Sequence, residues 1–473
     1  MKRRLFVQKA GLLGGGLLMG GRVSLASGQQ IYPVVRVAEG QRHFSSVAIE
    51  QAITEFKANV KNAEYGWLFN NCFPNTLDTT VTFKVADSRP DTYVITGDID
   101  AMWLRDSSAQ VWPYLNFIKP DKALQQLIAG VINHQTGCIL KDPYANAFYN
   151  DPNKVGEWAK DVTKMQPGIH ERKWEIDSLC YPIRLAHQYW KLTGDVSPFD
   201  EQWKKAIALI LQTFKEQQRK DNDGPYSFQR RTSWATDGVA MNGYGYPVKP
   251  VGLICSAFRP SDDATVYSYL VPSNFFAVVS LTQSAEMVKQ ISKDDALANE
   301  LTKLAVEVEQ ALQKYAVIDH ATYGRIYAYE VNGFGSFNLM DDANVPSLLS
   351  LPYLGAVSAT DAVYLNTRKM LLSANNPFFF KGTAAEGIGG PHAGKNMIWP
   401  LGIIMRGLTS HDDKEIKYCL ETLKATHAGT GFMHESFFKD DAKKFTRKWF
   451  AWANTLYGEF LWKTYKEKPQ LLV

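Results

Sequence analysis

Apolar residues return every three or four positions along most of this chain, and that rhythm limits what it can fold into. Ile49, Ile53, Phe56 and Val60 keep it, as do Leu297, Leu301, Leu304 and Val308; Trp203, Ile207, Ile210 and Phe214 come close. A 3.6-residue helix gathers such residues on one face. Similar patterns run through 104–117, 122–135, 176–193, 272–291, 359–373, 396–409, 411–426 and 446–466, making eleven candidate helices in all. Strand-like alternation is confined to 90–95 and to a hairpin over Gly324 to Phe337, where Asn332-Gly333 supplies the turn.

The connections alternate in length. Helices follow one another closely at 117–122, 291–295 and 409–411, whereas long Gly/Pro/Asp-rich loops occupy 137–172, 219–261, 374–395 and 427–445. No repeat with a solenoid's period is visible. Alternating tight and long connections are what a closed double ring of helices produces, with function on the long-loop face. No low-complexity linker interrupts the pattern, so 29–473 reads as one domain.

Residues 1–28 read as export machinery rather than fold. Lys2, Arg3 and Arg4 open the chain, a short apolar run spans Ala10 to Gly21, and Ser24-Leu25-Ala26 offers a small-x-small cleavage site. Arg3-Arg4-Leu5-Phe6 resembles a twin-arginine signal. The run is too short to span a bilayer as an ordinary helix, so the mature chain is expected in the periplasm or secreted, with no stable membrane association. A net charge of +4, from 52 basic and 48 acidic residues, argues against nucleic acid or anionic membrane as the main partner. The five cysteines are scattered, with no C-x-x-C, so buried free thiols are expected.

The chemistry-bearing residues lie in or beside the long loops. Thr96-Gly97-Asp98-Ile99-Asp100-Ala101-Met102-Trp103-Leu104-Arg105-Asp106 mixes aspartates, an arginine and a tryptophan with residues that should be buried. An indole beside Arg and Asp suits a sugar: the ring takes the apolar face and the charged groups bind hydroxyls in pairs. An internal Arg105–Asp106 ion pair holding a helix start would give the same segment. Other clusters are Glu171-Arg172-Lys173-Trp174-Glu175-Ile176-Asp177, Ser256 to Asp263, Gly387 to His392 running into Trp399, and Met433-His434-Glu435-Ser436 after a glycine-rich turn. Glycoside hydrolysis needs two carboxyl groups in opposite roles, one protonated and one ionised. Asp262 and Asp263 perturb each other while Arg259 opposes them, and either could instead cap a helix beginning near Ala264. His187 falls within a helix pattern and reads as structural, whereas His392 and His434 sit among glycines and read as site residues. The pairs Asp341-Asp342, Asp412-Asp413 and Asp440-Asp441 resemble the magnesium aspartates of terpene cyclases, but Val266 stands where D-D-x-x-D needs its last Asp. No H-E-x-x-H, G-x-S-x-G or P-loop is present.

Several blocks together carry a resemblance: T-G-D-I-D-A-M-W-L-R-D-S-S-A-Q (96–110), K-D-P-Y-A-N-A-F (141–148), E-R-K-W-E-I-D-S-L-C-Y-P (171–182), F-R-P-S-D-D (258–263), Y-L-V-P-S-N-F-F-A (269–277), M-D-D-A-N-V-P-S-L-L (340–349), M-H-E-S-F (433–437) and W-F-A-W-A-N (449–454). In that order and over nearly the whole mature chain, they resemble glycoside hydrolase family 125. The resemblance implies an all-α (α/α)6 barrel, here with a small β-hairpin insertion. It implies an exo-acting, inverting alpha-mannosidase that removes terminal alpha-1,6-linked mannose from oligosaccharides without metal or other cofactor. It makes Asp262 the general acid and Glu435 the general base. Trp103, Arg105, Asp106, Arg259, His392 and His434 are the candidates to hold the mannose. The chain departs from the family pattern at G-I-G-G-P-H (387–392), where a Ser is expected, and in an extended loop near 233–250, which bear on loop contacts and leaving-group preference. The alternatives are a glucoamylase-like helical-toroid glycosidase and a non-catalytic periplasmic glycan-binding protein.

Overall fold

A computed structural model describes residues 32–473; the expected export signal at 1–28 lies outside them. Thirteen α-helices carry the described chain: α1 Val47–Asn59, α2 Ala63–Cys72, α3 Asn75–Thr79, α4 Leu104–Val111, α5 Lys122–Lys141, α6 Ile176–Thr193, α7 Glu201–Gln217, α8 Val271–Met287, α9 Asp295–Tyr315, α10 Ala362–Leu371, α11 Pro400–Leu408, α12 Asp413–Thr426 and α13 Ala451–Glu467. Each expected helix is present, most within a few residues. The 104–117 pattern is split, because Pro113 cannot donate to an α-helical ladder and 112–117 tightens to a 3-10 helix. Helices α2 and α3 were not anticipated. Tyr65, Leu68, Phe69 and Cys72 do keep the helical spacing, but Gly66 inside the stretch and Pro74 just beyond it punctuate the pattern.

From α2 onward the helices alternate between an outer and an inner ring. The inner helices α4, α6, α8, α11 and α13 are buried nearly all round: every residue of α4 is enclosed, and so are the first eleven of α6. The outer helices α7, α9 and α12 are amphipathic, burying one stripe such as Leu301, Leu304, Ala305 and Val308. Neighbouring inner helices pack in the order α11, α13, α4, α6, α8. The inner position between α8 and α11 is filled by the wholly buried segment 341–350 and the turns that follow, not by a regular helix. Tyr181 of α6 donates to Val345 O at 2.9 Å, and Tyr364 of α10 to Leu349 O at 2.9 Å, which locks that segment in place. The fold is an (α/α)6 barrel.

Short strands stand at the mouths of the inner helices. β3 (Met102–Trp103) runs straight into α4 and pairs with β4 (Ala147–Phe148), which pairs with β5 (Ile169–Glu171). β6 (Tyr269–Leu270) leads into α8; β13 (Met397–Ile398) lies just before α11 and pairs with β14 (Ser436–Phe438), itself paired with β15 (Asp441–Thr446). The inner helices therefore start at one end of the barrel, and there their free N–H groups and positive dipole ends converge. The expected strand at 90–95 is β2 (Arg89–Val94), antiparallel to β1 (Val81–Ala86). The expected hairpin is narrower than Gly324 to Phe337. β9 (Glu330–Val331) pairs with β10 (Phe337–Asn338) around the loop 332–336, whereas β8 (Gly324–Tyr327) pairs back with β7 (Val317–His320). Asn332 Oδ1 accepts from Phe334 N and Ser336 N, so it closes a longer loop, not a two-residue turn.

All five cysteines are buried and free. Among the described residues no helix is long and apolar enough to cross a membrane.

Candidate active site

The turn carrying Asp262 is tied at both ends. Arg259 N donates to Asp263 O at 2.8 Å, Asp262 N donates to Arg259 O at 2.9 Å, and Phe258 forms an antiparallel bridge with Ala264. Asp262 itself takes a left-handed backbone (φ 68°), which Asp tolerates better than most residues. That conformation separates the two adjacent aspartates. Asp263 turns inward, where it accepts from Thr236 Oγ1 at 2.7 Å and lies 3.5 Å from His392 Nδ1. Asp262 keeps a side chain 16% exposed. Neither caps a helix near Ala264, because the next α-helix begins at Val271.

Arg105, in the first turn of α4, is the hub of this half. Its Nη1 reaches Glu175 Oε2 at 2.6 Å and Asp177 Oδ2 at 3.2 Å; its Nη2 reaches Asp262 Oδ1 at 3.3 Å, and its Nε lies 3.4 Å from Asp106 Oδ2. The ion pair within the Arg105–Asp106 segment is real, but it is one arm of a larger cluster. Asn146 Nδ2 also donates to Asp262 Oδ1 at 3.4 Å, and Lys173 Nζ donates to the Asp262 carbonyl at 2.8 Å. Lys173 is held in turn by Asp237 at 2.6 Å, from the long loop after α7.

These charges set the protonation states. Burial and Glu171 act to raise the Asp262 carboxyl, but Arg105, Lys173 and His392 outweigh them and hold it below the usual carboxylate range. Burial drives Glu175 well above its ordinary value against the pull of Arg105, with Asp262 and Asp177 pushing the same way. Burial also lifts Asp106 to about 6; Arg105 and Arg447 oppose the rise and Asp262 adds to it. Asp106 thus feels both the Asp262 cluster and Arg447, which belongs to the other half of the site.

That other half is built on Glu435, immediately before β14. Thr446 Oγ1 donates to Glu435 Oε2 at 2.9 Å, and Arg447 Nη1 approaches Oε1 at 3.5 Å. Arg447 is anchored by Asp98 at 2.6 Å and donates to Thr96 Oγ1 at 3.1 Å. Gly97, between those two, has φ 129°, and a Cβ there would meet the Trp449 carbonyl oxygen at 2.5 Å. Only glycine lets the 96–98 strand lie against 449–450, where Gly97 and Phe450 form a bridge.

The remaining expected residues divide. Trp103 is the N-cap of α4, edge-on to His170, and its indole N–H is buried without an acceptor. The same is true of the indole N–H groups of Trp399, at the N-cap of α11, and Trp449. Buried donors without acceptors are uncommon in folded proteins, and hydroxyl-bearing ligands supply what they lack. His392 stands against Asp263 and Trp399. Arg259 turns inward to Glu330 at 2.7 Å and lies over Tyr329, bracing the 259–263 turn. His434 is 1% exposed and stacks on Phe445 at 3.7 Å; burial lowers it to about 4, so its ring is neutral. One ring face is given to Phe445, while Nδ1 is buried without a hydrogen-bond partner, as the three indole N–H groups are. His187 is paired with Glu286 on the barrel exterior, as a structural histidine would be.

Several partners escaped the sequence reading as site residues: Asn146, Lys173, Glu175, Asp177 and Arg447. Glu175 and Asp177 were visible in a charged block, but which carboxylates meet Arg105 depends on how α4 and α6 pack. Among the described residues no group of three or more His, Cys, Asp or Glu is arranged to hold a metal ion.

A helical toroid with paired carboxyl groups and unfilled indole donors at one mouth defines a carbohydrate-active protein. Residues 62–462 match the metal-independent alpha-mannosidase family, GH125, and the chain belongs to that family. It is 42% identical to the meiotically up-regulated gene 157 protein of Schizosaccharomyces pombe over 465 residues, 94% of this chain and 91% of that one. A solved metal-independent alpha-mannosidase from Streptococcus pneumoniae, in a non-productive complex with alpha-1,6-mannobiose, is 41% identical; the match covers 90% of this chain and all of that one, with a TM-score of 0.86. A bacterial glucoamylase complexed with acarbose shares the fold at 14% identity and a TM-score of 0.50, over 79% of this chain and 50% of its own.

Proposed function

We propose that this alpha-mannosidase is exo-acting and inverting, and that it releases terminal alpha-1,6-linked mannose. The observation that carries the reading is the contrast between two carboxyl groups. Asp262 shares the Arg105 guanidinium with Asp106, Glu175 and Asp177, a crowding of carboxyl groups that favours keeping a proton in the cluster, as a general acid requires. Glu435 sits apart from that cluster, between a hydroxyl and a guanidinium that suit a carboxylate acting as base. Asp262 gives its proton to the glycosidic oxygen as the C1–O bond breaks. Glu435 takes a proton from a water that attacks C1 from the opposite face. Trp103, Arg105, Asp106 and His392 hold the terminal mannose, with the indole N–H groups of Trp399 and Trp449 as further hydroxyl partners. The alpha-1,6-mannobiose bound by the pneumococcal relative supports the linkage.

The test is incubation with alpha-1,2-, alpha-1,3- and alpha-1,6-mannobiose, with proton NMR of the first product. Only the 1,6-linked disaccharide is cleaved appreciably, and beta-mannose appears before mutarotation. Equal cleavage of the 1,3-linked disaccharide overturns the linkage, and alpha-mannose first overturns inversion. Glucose release from aryl glucosides would favour the glucoamylase-like reading, and binding without product would favour a glycan-binding protein. We also propose, from the first 28 residues alone, that the chain is exported to the periplasm or beyond.

A further inference from the structure

One guanidinium, Arg105, faces four carboxyl groups, those of Asp106, Glu175, Asp177 and Asp262. All are buried or nearly so, and a cluster of that composition cannot hold four full negative charges away from water. Glu175 shows where a proton must sit. Its Oε2 accepts from Arg105 at 2.6 Å and from Ser178 Oγ at 2.8 Å, but its Oε1 is buried with no donor. Glu175 and Asp262 share one guanidinium, Glu175 Oε2 on Arg105 Nη1 at 2.6 Å and Asp262 Oδ1 on Nη2 at 3.3 Å, so the two carboxyl groups stand on the same side of Arg105. Ionised carboxylates offer only acceptors, so the unpartnered Glu175 Oε1 is better met by a proton than by a further negative charge.

We propose that Glu175 is the proton partner of Asp262: the pair shares one proton beside Arg105, and Glu175 passes it to Asp262 when a mannoside fills the pocket. This rests on the reading of Asp262 as the general acid, and it answers a difficulty in that reading, because Arg105, Lys173 and His392 hold the Asp262 carboxyl below the usual carboxylate range. The groups facing the pair are Arg105 and Asp106 from α4, Asp177 and Ser178 from α6, and Ser273 from α8, which binds Asp177. From the surrounding loops come Asn146, Glu171, Lys173 and His392. Asp262 is the member of the pair with some exposure. A bound sugar removes that water and places a glycosidic oxygen against it, which disfavours the Asp262 carboxylate and draws the proton across. The Glu175 O–H bond breaks as the Asp262 O–H bond forms. The Asp262 O–H bond then breaks as the proton joins the glycosidic oxygen, which keeps the C1–O electron pair. After product leaves, the pair regains one proton from solvent, and Glu435 loses the one it took from water.

Glu175 is therefore a positioning residue, and Glu175→Gln separates this role from a merely structural one. The glutamine amide donates permanently to Asp262 and removes a neighbouring negative charge, so Asp262 loses its proton at lower pH. On alpha-1,6-mannobiose kcat falls about 10²-fold and the basic limb of kcat/KM moves to lower pH. On dinitrophenyl alpha-mannoside, whose leaving group needs no protonation, kcat is little changed. Glu175→Asp keeps the basic limb near its wild-type position. An equal fall on both substrates with an unmoved limb overturns the proposal. A second readout needs no turnover: at neutral pH the infrared spectrum carries the C=O stretch of a buried protonated carboxyl that Glu175→Gln removes and Asp262→Asn shifts, since the partner of that carboxyl changes from a carboxylate to an amide. An identical band in wild type and Asp262→Asn also overturns it. Wild-type protein that releases no mannose overturns the parent reading, and this one with it. Wild-type release with an indifferent Glu175→Gln overturns this one alone.

Discussion

Asp106 is held at about 6 in the folded chain, against about 3.9 when unfolded. Burial is the main cause, and the carboxyl is only 5% exposed. A carboxyl raised on folding contributes stability that is fully present below the unfolded value and is lost as pH rises through the folded one. The two-unit gap corresponds to about 3 kcal/mol once both states are ionised, and nearly all of that develops between about pH 4 and pH 8. Asp106→Asn removes the titration. The unfolding free energy of the variant minus that of wild type should therefore rise by about 2–3 kcal/mol from pH 4 to pH 8, whatever its value at pH 4. Equilibrium urea denaturation followed by tryptophan fluorescence, at several pH values for both proteins, measures the difference directly. Asp106 also lies between the Asp262 cluster and Arg447, so the variant should lose most of its mannosidase activity at every pH tested. A difference that is flat with pH, or that shrinks as pH rises, refutes the electrostatic reasoning.

Arg447→Met removes a partly buried cation from Asp98 and Glu435 together, so kcat should fall by about 10²-fold or more on mannobiose and dinitrophenyl mannoside alike, in steady-state assays. Gly97→Ala forces a Cβ against the Trp449 carbonyl and a backbone that L-residues rarely adopt; its midpoint in urea should drop by an amount equivalent to about 1–3 kcal/mol, with activity falling alongside. Replacing both Arg3 and Arg4 with Lys should leave precursor in the cytoplasm on cell fractionation, and normal delivery would point to the general secretory route. Overnight dialysis against EDTA should leave activity intact, and loss restored by calcium or zinc would reveal a metal site.

The barrel was legible because burial writes itself as period. Inner and outer helices alike carry apolar residues at three-and-four spacing, and the exact ends of α6, at 176 and 193, could be read from it. The strands were harder, because pairs two or three residues long carry no period of their own. Met102–Trp103 and Ser436–Phe438 become strands only when distant segments arrive beside them. The site divided in the same way. Asp262, Glu435, Trp103, Arg105 and Asp106 stood out as unusual residues in unusual company. Arg447 did not, since an arginine in a basic stretch, K-K-F-T-R-K, looks solvated until the β14–β15 hairpin turns it inward. His434 drew attention as a histidine beside a carboxylate, and the fold stacks its ring on Phe445, a contact the sequence did not announce.

The carboxylate excess at the barrel mouth also explains why the site sits at this end. Asp106 and Asp177 occupy the first turns of inner helices α4 and α6, and Glu175 is the N-cap of α6. Helix N-termini stabilise negative charge through their free N–H groups and aligned peptide dipoles, by up to about 2 kcal/mol where partly buried. At the opposite end, where inner helices terminate in carbonyls, the same acids would face partial negative charge with one arginine to offset it. A closed ring that starts its inner helices together therefore supplies the background positive potential that lets several carboxyl groups crowd one guanidinium. What that potential does not offset is met by sharing protons.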